Sequence, residues 1–149
     1  MTQSSLFDDA SRAHLDEIVM YCDGGSRGNP GPAAIGAVVL DPSTTPPQVL
    51  AEVSEAIGVT TNNVAEYRAL IEGLKAAAVF AASRVRVRAD SLLVVEQVKG
   101  VWKVKQPHLR PLRDEARRLL ARYDEVDLQH VPRAQNAAAD ALVNAALDA

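Results

Sequence analysis

Ile18-Val19-Met20-Tyr21-Cys22-Asp23-Gly24-Gly25-Ser26-Arg27-Gly28-Asn29-Pro30-Gly31-Pro32 reads as a strand, a turn and the entry to a second strand. Ile18–Cys22 is a short apolar run, and Asp23-Gly24-Gly25 is expected to stop it. Gly28-Asn29-Pro30-Gly31-Pro32 is dense turn chemistry. Ala33–Leu40 is apolar throughout and fits a strand covered on both faces. An acid is thus expected at the end of a central strand, beside glycines.

Working outward, Asp41-Pro42-Ser43-Thr44-Thr45-Pro46-Pro47 is a loop, and Val49–Val59 alternates, with Val49, Ala51, Val53, Ile57 and Val59 on one face. The first three strands are expected to form an antiparallel meander. Across 63–80, Val64, Tyr67, Ile71, Leu74 and Ala78 recur at three- and four-residue spacing, which predicts a helix. A strand over 84–89 follows, with Val85 and Val87 facing one way. Next come a helix over 91–99 closed by Gly100, a basic amphipathic helix over 108–123, a strand over 126–131 and an alanine-rich helix over 134–148. The order βββαβααβα implies an α/β fold: a five-stranded mixed sheet with helices on both faces.

Strand direction then places the acids. If the first strand runs up, the meander turns the second down and the third up, and the crossover brings the fourth up; the fifth runs up too if its crossover is parallel. Asp23 and Asp90 are expected at the ends of strands one and four. Glu66 falls in the first turn of the helix leaving strand three, and Asp140 early in the helix leaving strand five. All four meet on the carboxyl edge of one sheet, where open α/β sheets bind ligands. Each alone has a structural explanation: a turn for Asp23, a capping box with Asn63 for Glu66, an N-cap for Asp90, a helix-dipole partner for Asp140. Together they would repel one another unless a cation sits among them, and carboxylates in open geometry suit Mg²⁺ or Mn²⁺.

The charge distribution offers a polyanion a basic surface, the alternative for the basic run being a solvated helix face. The net charge of the 149 residues is −3, but residues 1–66 hold nine acids and two bases while residues 67–149 hold ten acids and fourteen bases. Eight bases lie between Lys99 and Arg122 against Asp114 and Glu115. Local charge, not the total, sets the surface a polyanion meets. The single cysteine, Cys22, excludes an internal disulfide and suits a reducing compartment; inside a strand it reads as a small buried apolar residue. No apolar run approaches the ~20 residues of a membrane helix, and the acidic first seventeen residues lack a signal-peptide core, so a cytoplasmic address without membrane association is expected. No Ser-His-Asp or Cys-His set is present.

The residues resemble the type 1 ribonuclease H family. Tyr21–Pro32 is similar to its first motif, Thr60-Thr61-Asn62-Asn63-Val64-Ala65-Glu66 to its second, Ala89-Asp90-Ser91 to its third and Asn136-Ala137-Ala138-Ala139-Asp140 to its fourth. The resemblance covers residues 18–148. It divides the chain into a polar N-terminal extension over 1–17 and a ribonuclease H domain over 18–149, expected as a monomer. By resemblance, Asp23, Glu66, Asp90 and Asp140 are metal ligands, and Asp23 bridges two ions about 3.5–4 Å apart. The activity implied is endonucleolytic cleavage of the RNA strand of RNA–DNA hybrids with Mg²⁺ (Mn²⁺ able to substitute), leaving 3′-hydroxyl and 5′-phosphate ends.

Substrate residues follow by the same resemblance. Gly24, Gly25 and Gly28 let backbone approach the shallow minor groove of the hybrid, with Ser26 in the same motif. Asn29, Asn62 and Asn63 match positions that contact sugars and base edges. Thr61 matches one that holds a DNA phosphate. Trp102 resembles the aromatic that packs on a DNA sugar, with Lys103 and Lys105 beside it for phosphates; the alternative for Trp102 is a partly exposed core residue.

The chain departs from the family pattern twice. Only a short segment links Gly100 to Pro107 in place of a long basic protrusion. The loop before the fourth acid is Arg133-Ala134-Gln135 and holds no histidine; His130 does not match, and Arg133 is the candidate for contacting the scissile phosphate. Two alternatives stay open: a nuclease of the same fold that also cuts double-stranded RNA, and a catalytically weak hybrid-binding domain of a larger protein. Gln3-Ser4-Ser5-Leu6-Phe7 resembles the short peptide by which bacterial replication and repair proteins dock on the sliding clamp; the alternative is that Leu6 and Phe7 fold back onto this domain.

Overall fold

The computed structural model describes residues 15–149; the clamp-like stretch Gln3–Phe7 lies outside the described residues. The elements in chain order are β1 (Glu17–Ser26), β2 (Gly31–Asp41), β3 (Gln48–Thr60), α1 (Asn62–Ala78), β4 (Arg84–Ala89), α2 (Leu92–Lys99), α3 (Arg110–Leu120), β5 (Glu125–His130) and α4 (Ala137–Asp148). Single 3₁₀ turns occupy Pro107–Leu109 and Arg133–Gln135. The sheet order is β3-β2-β1-β4-β5. β1–β2 and β2–β3 are antiparallel; β1–β4 and β4–β5 are parallel. The expected meander and crossovers are therefore present. No described helix is long and apolar enough to cross a membrane.

The period-two pattern of β1 explains the layering. Ile18, Met20 and Cys22 are buried on the face covered by α1, where Tyr67, Leu70 and Leu74 meet them. The other face of β1, β2 and β3 is covered by α4. That helix comes so close at Gly36 that a Cβ there would lie 2.4 Å from the Ala139 carbonyl oxygen. Val85 and Val87 of β4 point into the core, as their spacing predicts. Arg84, Arg86 and Arg88 alternate with them onto the opposite face, where Glu17 pairs with Arg86 and Asp127 with Arg88 at 2.9 Å.

The structure departs from the sequence expectation at several points, the main ones for local reasons. Glu17, not Ile18, opens β1, and the Asp16 carbonyl accepts from the Arg84 N–H. β1 does not stop at Asp23, because antiparallel pairing to β2 carries it on to Ser26 opposite Ala33. Asp23 is instead the first residue beyond the parallel partner, whose ladder ends at Cys22–Ala89. The alternation of β3 is broken by register shifts opposite Ala33/Ala34 and Val39/Leu40. Each bulge adds a residue and reverses which side faces the core. Val49 and Val59 are consequently exposed, while Leu50, Ala51, Val53 and Ile57 pack on the core. In α1 the N-cap is Thr61, whose hydroxyl accepts from the Val64 N–H at 3.3 Å, so Glu66 sits in the second turn, not the first. The basic helix shortens to Arg110–Leu120 because Pro107–Leu109 forms a 3₁₀ turn ahead of it.

Candidate active site

Three acids meet at the carboxyl edge of the sheet. Asp23 comes from β1, Glu66 from α1 and Asp90 from the residue after β4, and one carboxylate oxygen of each lies within 4.8 Å of the other two. Asp140, from the first turn of α4, stands outside that triangle but lines the same cleft of about 470 Å³. Its side chain reaches Asp23 closely enough to raise the Asp23 pKa further. Asn144 donates to Asp140 at 3.4 Å.

The close approach of β1 to α1 depends on Gly24. A Cβ at that position would lie 2.2 Å from the Ala65 carbonyl oxygen. Glycine is required there by the helix, not by a groove-facing ligand. With the strand so close, the Gly24 N–H donates to Glu66 Oε1 at 2.6 Å and fixes that carboxylate. The alternative of a capping box between Glu66 and Asn63 does not form among the described hydrogen bonds. Asp90 is not an N-cap either; Ser91 caps α2, its hydroxyl accepting from the Val94 N–H at 3.3 Å.

Electrostatics in the cleft are those of crowded acids. Burial, then the negative charges of Glu66 and Asp90, push the Asp23 carboxyl up from 3.8 to about 9. Burial raises Glu66 to about 7, opposed by the Gly24 N–H and by the charge of Arg133. The Cys22 thiol is pushed well above its ordinary value by burial and by the same acids, so it stays protonated. The donor set is all hard oxygen, which fits a divalent cation such as Mg²⁺ or Mn²⁺.

Arg133 is exposed and lines the cleft with Asp140. Gly25, Ser26 and Asn62 line it too, joined by Arg27 and Ser91, neither of which the sequence singled out. Asn29 and Asn62 interlock the β1–β2 turn with the start of α1: the Asn62 N–H donates to Asn29 Oδ1 at 3.0 Å, and Asn62 Oδ1 accepts from the Ser26 N–H at 3.3 Å. Asn63 and Thr61 flank Asn62 at the same helix start without lining the cleft. Trp102, Lys103 and Lys105 gather in a second cleft of about 510 Å³ with Leu93, Gln97 and Leu109. Trp102 is 44% exposed there.

Residues 21–146 match the reverse transcriptase-like family. The structure superposes on RNase H1 of the halophilic archaeon Halobacterium salinarum NRC-1 with a TM-score of 0.83 and 48% identity, covering 89% of this chain and 98% of that one. The N-terminal RNase H domain of Rv2228c from Mycobacterium tuberculosis gives a TM-score of 0.82 and 51% identity, covering 89% and 99%. LC11-RNase H1, solved in complex with an RNA/DNA hybrid, gives 0.79 and 43%, covering 88% and 96%.

The chain belongs to the type 1 ribonuclease H family. It spans only 36% of the full curated M. tuberculosis protein, described as bifunctional, and 63% of the curated H. salinarum ribonuclease HI. Against the ribonuclease H motifs, the sequence reading missed one buried residue at the site. Asn136 is 1% exposed and donates to the Cys22 carbonyl at 2.8 Å. Its only signal was its place in the fourth motif, where an asparagine after a turn reads as a surface residue.

Proposed function

We propose that this chain is an endoribonuclease that cleaves the RNA strand of RNA–DNA hybrids, leaving 3′-hydroxyl and 5′-phosphate ends. The observation that carries this reading is the convergence of Asp23, Glu66 and Asp90 within 4.8 Å, with Asp140 in the same cleft. Such a set is unfavourable without a cation, because burial and mutual repulsion oppose ionisation of Asp23 and Glu66. Asp23, Glu66, Asp90 and Asp140 would hold two Mg²⁺ ions, with Mn²⁺ able to substitute. Bound ions supply a water of lowered pKa and neutralise charge on the leaving oxygen.

The chain's own residues supply the rest. The Gly24 N–H holds Glu66 in one orientation. Arg133, permanently charged, binds the scissile phosphate and acts electrostatically, since a guanidinium does not exchange protons near neutral pH. Water is the attacking group in this reading: the Cys22 thiol is buried and protonated, and the Ser91 hydroxyl is engaged as a helix cap.

Recognition divides between the two clefts. Gly25, Ser26, Asn29, Asn62 and Asn63 surround the catalytic edge, where they read 2′-hydroxyls and base edges of the RNA strand. Thr61 holds a DNA phosphate from the start of α1. Trp102 packs on a DNA sugar, and Lys103 and Lys105 take the phosphates beside it. The hybrid complex of LC11-RNase H1 supports this substrate class.

The experiment compares end-labelled hybrid, RNA duplex and DNA duplex side by side with Mg²⁺, with Mn²⁺ and with chelator. Metal-dependent cutting of the hybrid alone, with products that a polymerase extends, is expected. Equal cutting of the RNA duplex moves the assignment to a broader nuclease, and binding of hybrid without cleavage to a recognition domain.

A further inference from the structure

Asn136 is the least exposed of the buried asparagine, glutamine, aspartate and glutamate residues described. Three hydrogen bonds pass through it. Its backbone N–H donates to the Arg133 carbonyl at 2.9 Å, which closes the turn that carries Arg133. Its own carbonyl accepts from the Asp140 N–H at 3.1 Å, in the first turn of α4. Its side-chain Nδ2 donates to the Cys22 carbonyl at 2.8 Å, across 114 residues of chain. That carbonyl belongs to the peptide group whose N–H is that of Asp23. Among the described residues, this is the one side-chain hydrogen bond between the 133–136 turn and the sheet.

The other half of the amide has no such role. Asn136 Oδ1 is buried without a partner among the described residues. An unpaired buried amide oxygen offsets part of what the Nδ2 bond to the Cys22 carbonyl contributes to stability. Its Nδ2 does something a smaller apolar residue could not: it ties the strand bearing Asp23 to the turn that leads into the helix bearing Asp140. Asp140 is also the acid that stands outside the close triangle of the other three. Its reach into the site depends most on how α4 is seated.

We propose that Asn136 is a positioning residue that seats the start of α4 against β1 and so brings Asp140 within reach of the site formed by Asp23, Glu66 and Asp90. This rests on the reading of the four carboxylates as cation ligands. Asn136 touches neither substrate nor cation; it acts through Asp140, and the turn carrying Arg133 moves with it.

The test uses Asn136→Ala and Asn136→Ser; serine keeps a polar group too short to reach the Cys22 carbonyl. Melting with chelator establishes that each variant is folded. Mn²⁺ is then titrated calorimetrically without nucleic acid, and kcat and KM are measured on hybrid. Both variants are expected to lose at least about tenfold in kcat, with KM within about twofold, and to bind Mn²⁺ several-fold more weakly. In an Asp140→Asn background, Asn136→Ala should add little further loss, because the two act as one unit. A fall in melting temperature with kcat and the Mn²⁺ isotherm unchanged overturns the proposal, as does full additivity with Asp140→Asn. A wild-type chain that neither binds Mn²⁺ nor cleaves hybrid removes the carboxylate reading itself, and this inference with it.

Discussion

Replacing Asp23 by Asn should destroy cleavage and, in the absence of metal, make the protein more stable. Asp23 has its carboxyl raised from 3.8 to about 9 by burial first and by Glu66 and Asp90 second. The native state therefore binds that proton more tightly than the unfolded chain does. Stability is greatest below the ordinary carboxylate range and declines as pH rises toward about 9. At pH 7, some three units above the unfolded value, a fully realised shift would cost the metal-free fold ~4 kcal/mol at ~1.4 kcal/mol per unit. Asp23 opens on a solvent-accessible cleft and shares its burden with Glu66, so screening brings the expected gain from Asp23→Asn to about 1–3 kcal/mol. For a domain of this size that is a rise of about 3–10 °C in Tm. Melting is followed with chelator from pH 4.5 to pH 9. The advantage of the variant should be near zero at the acid end and grow with pH. Saturating Mg²⁺ should reverse the order, because only the wild type keeps the full ligand set and gains from linkage. Parallel pH curves for the two proteins, or a variant less stable than wild type at pH 8 in chelator, would refute the reasoning.

Three further outcomes are expected. Arg133→Ala should lower kcat on hybrid by about tenfold or more with little change in KM, since a charge aimed at the scissile phosphate acts mainly in the transition state; wild-type kcat in steady-state assays would return Arg133 to the solvated surface. Gly24→Ala should cost ~2 kcal/mol or more, because its Cβ would meet the Ala65 carbonyl and the Glu66 nitrogen, both backbone atoms; a urea midpoint equal to that of the wild type contradicts the packing described. If Gln3–Phe7 is a clamp tether, deleting residues 1–8 leaves Tm and hybrid cleavage unchanged and abolishes capture by a bacterial sliding clamp; a marked drop in Tm, as the fold-back alternative requires, or no capture of the intact chain, rules out the tether.

Much of this was legible in the sequence, for identifiable reasons. The apolar runs of β1 and β2 and the helical spacing of Tyr67, Ile71 and Leu74 are strong periodic signals, and right-handed crossovers orient the strands. Those rules suffice to place Asp23, Glu66, Asp90 and Asp140 on one edge. The bulges of β3 were not legible, because an added residue leaves no mark in an alternating run until its partner strand is known. Thr61 and Asn63 are both acceptable N-caps, so the helix start could slip by two residues and move Glu66 between turns. Gly24 looked like a residue facing the substrate, since nothing local says that a helix 42 residues on will press against it. Asn136 was hidden for the same reason: its partner, the Cys22 carbonyl, is distant in the chain.

The most direct measurement of the central claim is a crystal of the wild-type chain soaked in Mn²⁺ with a non-cleavable hybrid analogue, read by anomalous scattering. Two manganese peaks bounded by the carboxylates of Asp23, Glu66, Asp90 and Asp140 are expected, with the RNA strand's phosphate beside them. A hybrid seated on the Trp102 cleft with no manganese among the four acids would contradict it.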